Sequence, residues 1–309
     1  MKENRRRFLK ELAAGSSTVL LTPHSEAVDS VEHFTGYPDR VGMLVDISLC
    51  IGCRKCEEAC KQSNQLPPIT VPLEDKTVFQ RQRRTDAENY TVVNQYANGQ
   101  PGMPGVYVKK QCMHCEEPAC ASACLVGALT KSKEGAVLYN KEVCLGCRYC
   151  MIACPFGIPA YEYHNPASPQ VRKCTLCYER IKSGGVPACA AICPNEAITF
   201  GKRSGLLKLA SEKILNNPGK YQDHIYGLTE AGGTTWLYIS QVPFAALGFP
   251  MNLGVKPFAE YTRGFLSAVP VVFVVWPALL GAFYLFAQNR LRQPGTETMP
   301  TGPNGEAAT

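Results

Sequence analysis

The amino-acid sequence predicts an α+β protein made of two similar halves, followed by one long apolar helix. Three observations indicate this fold class: the cysteines fall into four related groups, strand-like stretches flank these groups, and residues 265–287 carry no charge. With 309 residues and 45% hydrophobic content, the chain can bury a core of its own. The net charge of +6 is modest and concentrated near the N-terminus, so it gives no support to nucleic-acid binding.

Residues 1–27 are predicted to be a twin-arginine signal peptide. An arginine pair lies within Asn4–Lys10, a short apolar run covers residues 12–21, and a small-x-small cleavage site ends at Ala27. So short an apolar run cannot cross a bilayer, which favours a signal over a membrane anchor. The alternative is a basic helix on a soluble protein. Export by this route carries folded proteins, so cofactors can be inserted before the thiols meet an oxidising compartment.

Residues 41–203 are predicted to form one domain in which a strand, a cysteine-rich loop, a short helix and a strand recur. Strand-like sequence precedes cysteine groups at 43–49, 106–110 and 136–139, and a turn and strand follow the closing cysteines of the later groups. Residues 61–111 are a long polar insertion between the first two groups, either a solvated loop or a docking surface for a partner. A helix over 205–216 and a strand over 232–240 belong to a tail, residues 204–262, that leads to the apolar segment.

The uncharged segment 265–287 is predicted to be a transmembrane helix. Its length as a helix, roughly 34 Å at ~1.5 Å per residue, exceeds a hydrocarbon core of ~30 Å. Pro270 and Pro277 would kink it, which neighbouring helices can compensate, so an integral membrane partner is expected. Arg290 and Arg292 follow the span. The positive-inside bias therefore places the tail 290–309 in the cytoplasm and the body on the periplasmic side of the cytoplasmic membrane. The alternative is a buried core helix.

The sixteen cysteines share one spacing rule, because every group opens with C-x2-C and closes with C-x3-C. The first and third groups are compact, whereas the second and fourth contain one longer gap. The groups are Cys50, Cys53, Cys56 and Cys60; Cys112, Cys115, Cys120 and Cys124; Cys144, Cys147, Cys150 and Cys154; and Cys174, Cys177, Cys189 and Cys193. Four thiols per group suit a metal cofactor that takes four ligands.

The spacing indicates [4Fe-4S] clusters. A C-x2-C-x2-C loop can wrap around three irons, while the cysteine after x3 points to another cluster, so two runs bind as a crossed pair in two-cluster ferredoxins. Four runs therefore predict two crossed pairs and four clusters. Zinc sites usually combine two C-x2-C pairs from separate segments, and disulfides inside such a crowded loop would use its cysteines poorly. Both alternatives fit the spacing less well.

With these motifs, the sequence resembles the four-cluster ferredoxin-like subunits of membrane-bound respiratory oxidoreductases. This family includes the beta subunits of formate dehydrogenase-N, dimethylsulfoxide reductase and nitrate reductase. The runs 109–115 and 144–155 and the glycine pair that opens the stretch 232–240 carry the resemblance. Among members of the family, the sequence most resembles the hydrogenase-2 component. The resemblance implies two ferredoxin-like halves, each with two [4Fe-4S] clusters, in a pseudo-twofold arrangement. Lys61 and Leu125 depart from the proline that follows the other two groups.

The resemblance also implies which cysteines share a cluster, and we number the four ligand sets accordingly. Set one is Cys50, Cys53, Cys56 and Cys193; set two is Cys60, Cys174, Cys177 and Cys189; set three is Cys112, Cys115, Cys120 and Cys154; set four is Cys124, Cys144, Cys147 and Cys150. Each set takes its fourth member from another group.

No nucleotide-binding fingerprint, nucleophile elbow or histidine–carboxylate motif is visible, so the chain is predicted to be a non-catalytic subunit. The resemblance implies an electron-transfer role between a periplasmic catalytic subunit, namely the small subunit of a nickel-iron hydrogenase, and an integral membrane subunit that reacts with quinone. A formate dehydrogenase-N-like or other molybdenum enzyme is an alternative source of electrons. A non-redox metal-binding scaffold for assembly is an alternative of another class.

Overall fold

A computed structural model describes residues 40–98, 104–165 and 169–292. These residues fall into two units, one that ends at Ala259 and carries all the cysteines, and one that begins at Glu260. The predicted signal peptide and residues 293–309 of the predicted cytoplasmic tail lie outside the described residues.

The first unit mixes short strands with short helices, as the sequence predicts. The strands are β1 (Val41–Asp46), β2 (Thr91–Tyr96), β3 (Val106–Gln111), β4 (Leu129–Lys131), β5 (Val137–Tyr139), β6 (Ala160–Tyr161), β7 (Val171–Arg172), β8 (Ile198–Lys202) and β9 (Trp236–Ile239). The helices are α1 (Lys55–Ser63), α2 (Ala119–Ser122), α3 (Tyr149–Ala153), α4 (Tyr178–Lys182), α5 (Ala188–Ala191) and α6 (Arg203–Leu215), and α7 (Phe258–Arg292) follows them.

A three-stranded sheet separates helix α6 from the cysteines. β1 lies between β8, which is antiparallel to it, and β9, which is parallel. Successive side chains of a strand point to opposite faces, so both faces of this sheet can be covered. On one face Leu44 packs with Leu206 of α6, and on the other Trp236 shares a core cluster with Cys56 and Cys189. Cys56 and Cys189 are therefore part of the main core.

The predicted strands and tail elements are confirmed with small shifts of their ends. β1, β3 and β5 lie where strands are predicted before the cysteine groups, and α6 covers most of the predicted helix 205–216. The strand predicted over 232–240 is shorter, because residues 230–232 form a 3₁₀ turn and Gly233 adopts a φ of 90°. The left-handed backbone at this glycine ends the turn and lets β9 begin at Trp236.

The insertion 61–111 is not a purely solvated loop, and that interpretation is wrong for its second half. β2 pairs with β3 along its whole length, and Phe79 and Val93 belong to the main core cluster. Glu57 connects helix α1 to this segment, because its carboxylate accepts hydrogen bonds from Arg83 and from the Val93 amide. The polar composition of the segment as a whole favours a solvated loop, whereas its valine residues in β2 and β3 are buried.

Helix α7 contains the predicted membrane span. Residues Ala268–Gln288 are the one stretch within the described ranges that is long and apolar enough to cross a membrane, judged by length and composition. Pro270 and Pro277 lie inside the helix, as expected. Apolar side chains such as Phe273 and Phe283 are exposed, so the alternative of a buried core helix does not fit.

Candidate metal centres

The loops of the first and third cysteine groups have the same backbone conformation. Gly52 and Arg54 have φ values of 69° and 61°, and the equivalent Gly146 and Arg148 have the same two values. Glycine adopts such left-handed values without a steric penalty. At Gly52 a side chain is also excluded, because a Cβ would come within 2.4 Å of the Tyr107 ring. The repeat seen in the sequence is thus a repeat of three-dimensional structure.

The second and fourth groups form another matching pair. His114 and Leu176, each just before the second cysteine, have left-handed φ values of 49° and 58°. In both groups a helix of four residues then starts directly after a proline, α2 after Pro118 and α5 after Pro187. Proline suits the position before these helices because it lacks a backbone N–H, and no intrahelical hydrogen bond requires a donor at that position. These two helices carry the third cysteine of their groups.

Two cavities each collect four thiols from two distant groups. One is lined by all four members of set one, and another is lined by all four members of set two. The crossing cysteines are Cys193, which joins the first group, and Cys60, which joins the fourth. Four thiols around one enclosed space are the donor set of a [4Fe-4S] cluster, so the residues fit this cofactor.

The thiols of sets three and four also influence one another closely. Burial raises the pKa of Cys115 well above its ordinary value, and the other three members of set three raise it further. Burial likewise raises the pKa of Cys150 to about 11, and the other three members of set four add to the effect. The thiols within set three, and likewise those within set four, therefore interact electrostatically with one another.

Electrostatic interactions link each thiol set to another set. Burial is the main cause that raises the pKa of Cys56, Cys174 and Cys120, and in each case a thiol of the next set raises it as well. These neighbours are Cys189 of set two for Cys56, Cys112 of set three for Cys174, and Cys150 of set four for Cys120. Thiols of set one thus interact with set two, those of set two with set three, and those of set three with set four.

The cysteines are unbridged, and burial favours their neutral thiol form. All sixteen are free thiols, and within the described residues no three Cys, His, Asp or Glu side chains converge as the ligands of one metal ion would. Burial raises the pKa of Cys50 to about 11 and that of Cys60 to about 12. Iron must supply the positive charge that makes such thiols ionise, so cluster insertion should release protons.

Hydrogen bonds reach several of the sulfur atoms. The Ala128 amide donates to Cys124 Sγ at 3.2 Å, and the Leu176 amide donates to Cys174 Sγ at 3.3 Å. Hydrogen bonds to cluster sulfur are one of the ways in which a protein sets a reduction potential. The chain therefore offers tuning contacts as well as ligands.

Two buried lysines lie beside the sets, and neither is predicted as a site residue from the sequence. Burial alone lowers the pKa of Lys109, but the neighbouring thiolates, Cys189 first, outweigh it and raise the pKa above its ordinary value. Lys173, next to Cys174, donates to the Val137 carbonyl oxygen. The only sequence signal for either was its position next to a cysteine group, which is too weak to distinguish it from a surface lysine.

A third lysine fixes the loop of the second group. Lys131 Nζ donates to the carbonyl oxygens of His114 at 3.0 Å, Cys115 at 2.8 Å and Gly135 at 2.7 Å. These bonds join the loop to the strand β4 from which Lys131 extends. They give the carbonyl groups of this irregular loop side-chain hydrogen-bond donors.

Thiol set four reaches the protein surface. Cys147 of set four is exposed, and its group is flanked by Leu125, Leu145 and Ile152, whose exposed fractions are 80%, 72% and 82%. Exposed apolar side chains of this size, gathered around one site, are typical of an interaction surface.

Comparisons with known proteins agree with this geometry. Residues 103–203 match a family model described as a 4Fe-4S dicluster domain. A protein of Nitratidesulfovibrio vulgaris is 48% identical over 288 residues, which cover 93% of this chain and 78% of that protein. The hydrogenase-2 operon protein HybA of Escherichia coli O157:H7 is 36% identical over 284 residues (80% and 84%). The iron-sulfur subunit of nitrate-inducible formate dehydrogenase from Escherichia coli K12 is 33% identical over 265 residues (84% and 86%).

Proposed function

Because the chain belongs to the family of ferredoxin-type iron-sulfur subunits that includes HybA and the formate dehydrogenase iron-sulfur subunits, we propose that it is the electron-transfer subunit of a membrane-bound respiratory oxidoreductase. The observation that carries the proposal is the pair of cavities that each collect four thiols from two cysteine groups. A non-redox assembly scaffold is not favoured by relatives of this kind.

In this proposal, sets one to four each hold one [4Fe-4S] cluster through their four thiolates. When bound, such a cluster supplies a one-electron carrier. The residues of the chain bind it, bury six of the sixteen cysteines and partly cover nine more, and donate amide hydrogen bonds to sulfur. Support for the crossed ligation comes from the two cavities in which Cys193 and Cys60 join cysteines far from them in sequence.

The proposed partners are a catalytic subunit upstream and an integral membrane subunit downstream. Similarity to a hydrogenase-2 operon protein over most of the chain supports a nickel-iron hydrogenase, through its small subunit, as the upstream donor. Helix α7 would anchor the chain, with residues 290–309 in the cytoplasm and the cysteine-bearing unit on the periplasmic side. Pro270 and Pro277 within α7 support an integral partner, because a membrane helix with interrupted hydrogen bonds needs neighbours that satisfy them.

A second donor is favoured by a separate observation. The iron-sulfur subunit of formate dehydrogenase is 33% identical across 84% of this chain. The same four thiol sets would accept electrons from either donor. Only the surface that contacts the catalytic subunit would differ.

The test is anaerobic purification of the complex from solubilised membranes, followed by electron paramagnetic resonance after addition of hydrogen or formate. Hydrogen is expected to produce the broad signals of interacting reduced clusters within the turnover time of the complex. Reduction by formate alone would identify the second donor. A complex that contains iron but is reduced by neither substrate, while dithionite reduces it, would contradict an electron-transfer role for these two enzyme classes.

A further inference from the structure

Lys109 lies between the first two thiol sets. Its side chain lines the cavity formed by set one and also the cavity formed by set two. It is only 2% exposed, although it belongs to a strand whose next residue, Lys110, reaches the surface region near Gly248. One ammonium group is thus shared by two neighbouring sites.

The direct partners of this ammonium are neutral. Lys109 Nζ donates to Thr91 Oγ1 at 2.7 Å and to Gln111 Oε1 at 2.9 Å, and it lies 4.6 Å from the centre of the Trp236 ring. Within the described ranges, no Asp or Glu forms an ion pair with it. These three contacts hold the amine at a fixed point without cancelling its charge.

A buried cation without a carboxylate is costly unless another anion compensates for it. The thiols of both sets, which ionise when they bind iron, line the same two cavities as Lys109. The surrounding residues, including the buried Trp236, exclude water, so the charge of Lys109 is poorly screened. Its strongest electrostatic effect must therefore fall on whatever the two sets bind.

We propose that Lys109 is a charge-tuning residue that raises the reduction potentials of the clusters in sets one and two together. This inference rests on the function proposed above. On reduction, one electron from the upstream donor enters a site, and no bond forms or breaks. A fixed positive charge beside the site stabilises the added negative charge, and nearby charge is one of the protein's means of setting a cluster potential. Because one amine serves both sets, the two potentials should respond to it jointly.

The test is a potentiometric titration of the purified complex, followed by electron paramagnetic resonance, with the variants Lys109→Met, Lys109→Gln and Lys109→Arg. In both neutral variants, the equilibrium constant for reduction is expected to fall about tenfold or more at two of the four clusters, which corresponds to about 59 mV for a one-electron couple. The clusters of sets three and four should change less. Lys109→Arg keeps the charge and should restore most of the shift.

The matched control is Lys110→Met, which removes the adjacent lysine of the same strand. Lys110 Nζ donates to the Gly248 carbonyl oxygen at 2.7 Å and lines neither cavity, so its loss should leave all four potentials unchanged. Wild-type potentials in iron-loaded Lys109→Met and Lys109→Gln would overturn the proposal, as would an equal shift in Lys110→Met.

Iron content separates this inference from the proposal on which it rests. If the neutral variants lose iron while Lys109→Arg retains it, the positive charge is required at this position, which supports the inference. If Lys109→Arg loses iron as well, shape rather than charge matters there and the inference fails. A wild-type chain with far too little iron would instead contradict the cluster assignment itself.

Discussion

Replacing Cys60 with alanine is expected to damage the same cluster as replacing Cys174, and not the cluster that replacement of Cys50 damages. Cys60 lies four residues after Cys56 in sequence, yet it lines the cavity of set two. A cluster that loses one of its four thiolates should be lost, at a cost of about four irons per chain, or converted to a three-iron centre. Anaerobic iron analysis and electron paramagnetic resonance of each single variant would identify the affected cluster.

The reciprocal variant completes this test of crossed ligation. Cys193→Ala should resemble Cys50→Ala, because both residues line the cavity of set one. Asn64→Ala is a suitable control, since Asn64 Nδ2 lies 3.6 Å from Cys60 Sγ without providing a thiolate, and its replacement should leave the iron content intact. If Cys60→Ala and Cys50→Ala removed the same signal, each run would bind a cluster by itself and the crossed assignment would be wrong.

Glu57→Ala is expected to lower the free energy of unfolding by about 3–5 kcal/mol, the cost of breaking a buried ion pair by removing one partner. The Glu57 carboxylate is 3% exposed and accepts hydrogen bonds from Arg83 Nη2 at 2.5 Å, the Val93 amide at 2.6 Å and Arg54 Nε at 3.3 Å. Its removal leaves two guanidinium groups and a buried amide without their acceptor. The thermal midpoint of the iron-loaded protein should fall by roughly 6–20 °C for a unit of this size.

Glu58→Ala is the matched control for this prediction. Glu58 is the next residue on α1 and, within the described residues, it forms no ion pair, so its loss should change stability by only about 0.5 kcal/mol or less. Both variants would be heated anaerobically at the same rate. Equal midpoints for Glu57→Ala and Glu58→Ala would show that the buried carboxylate does not fasten the insertion 61–111.

The sequence was most informative where chemistry imposes a spacing. The C-x2-C and C-x3-C intervals have few uses other than cluster ligation, so they predict repeated cluster-binding loops. The equal φ values of Gly52 and Gly146 agree with this repeat. The strands before the cysteine groups were visible because alternating apolar residues have a period that a sequence displays directly. The membrane segment was equally clear, since residues 265–287 contain no charge.

The sequence was least informative where burial depends on contacts between distant segments. Lys109 is covered because β3 pairs with β2 and because Trp236 of β9, far along the chain, lies against its amine. Glu57 is buried because the insertion folds back over α1. A charged residue in a single sequence is by default a surface residue, and no local pattern marks these two as exceptions.

Iron and acid-labile sulfide per chain, measured on material purified under strictly anaerobic conditions, test the central assignment most directly. If all sixteen thiols hold four [4Fe-4S] clusters, analysis should give about sixteen irons and about sixteen sulfides per chain. Far lower values, in protein whose cysteines prove to be joined to one another as disulfides, would contradict the account.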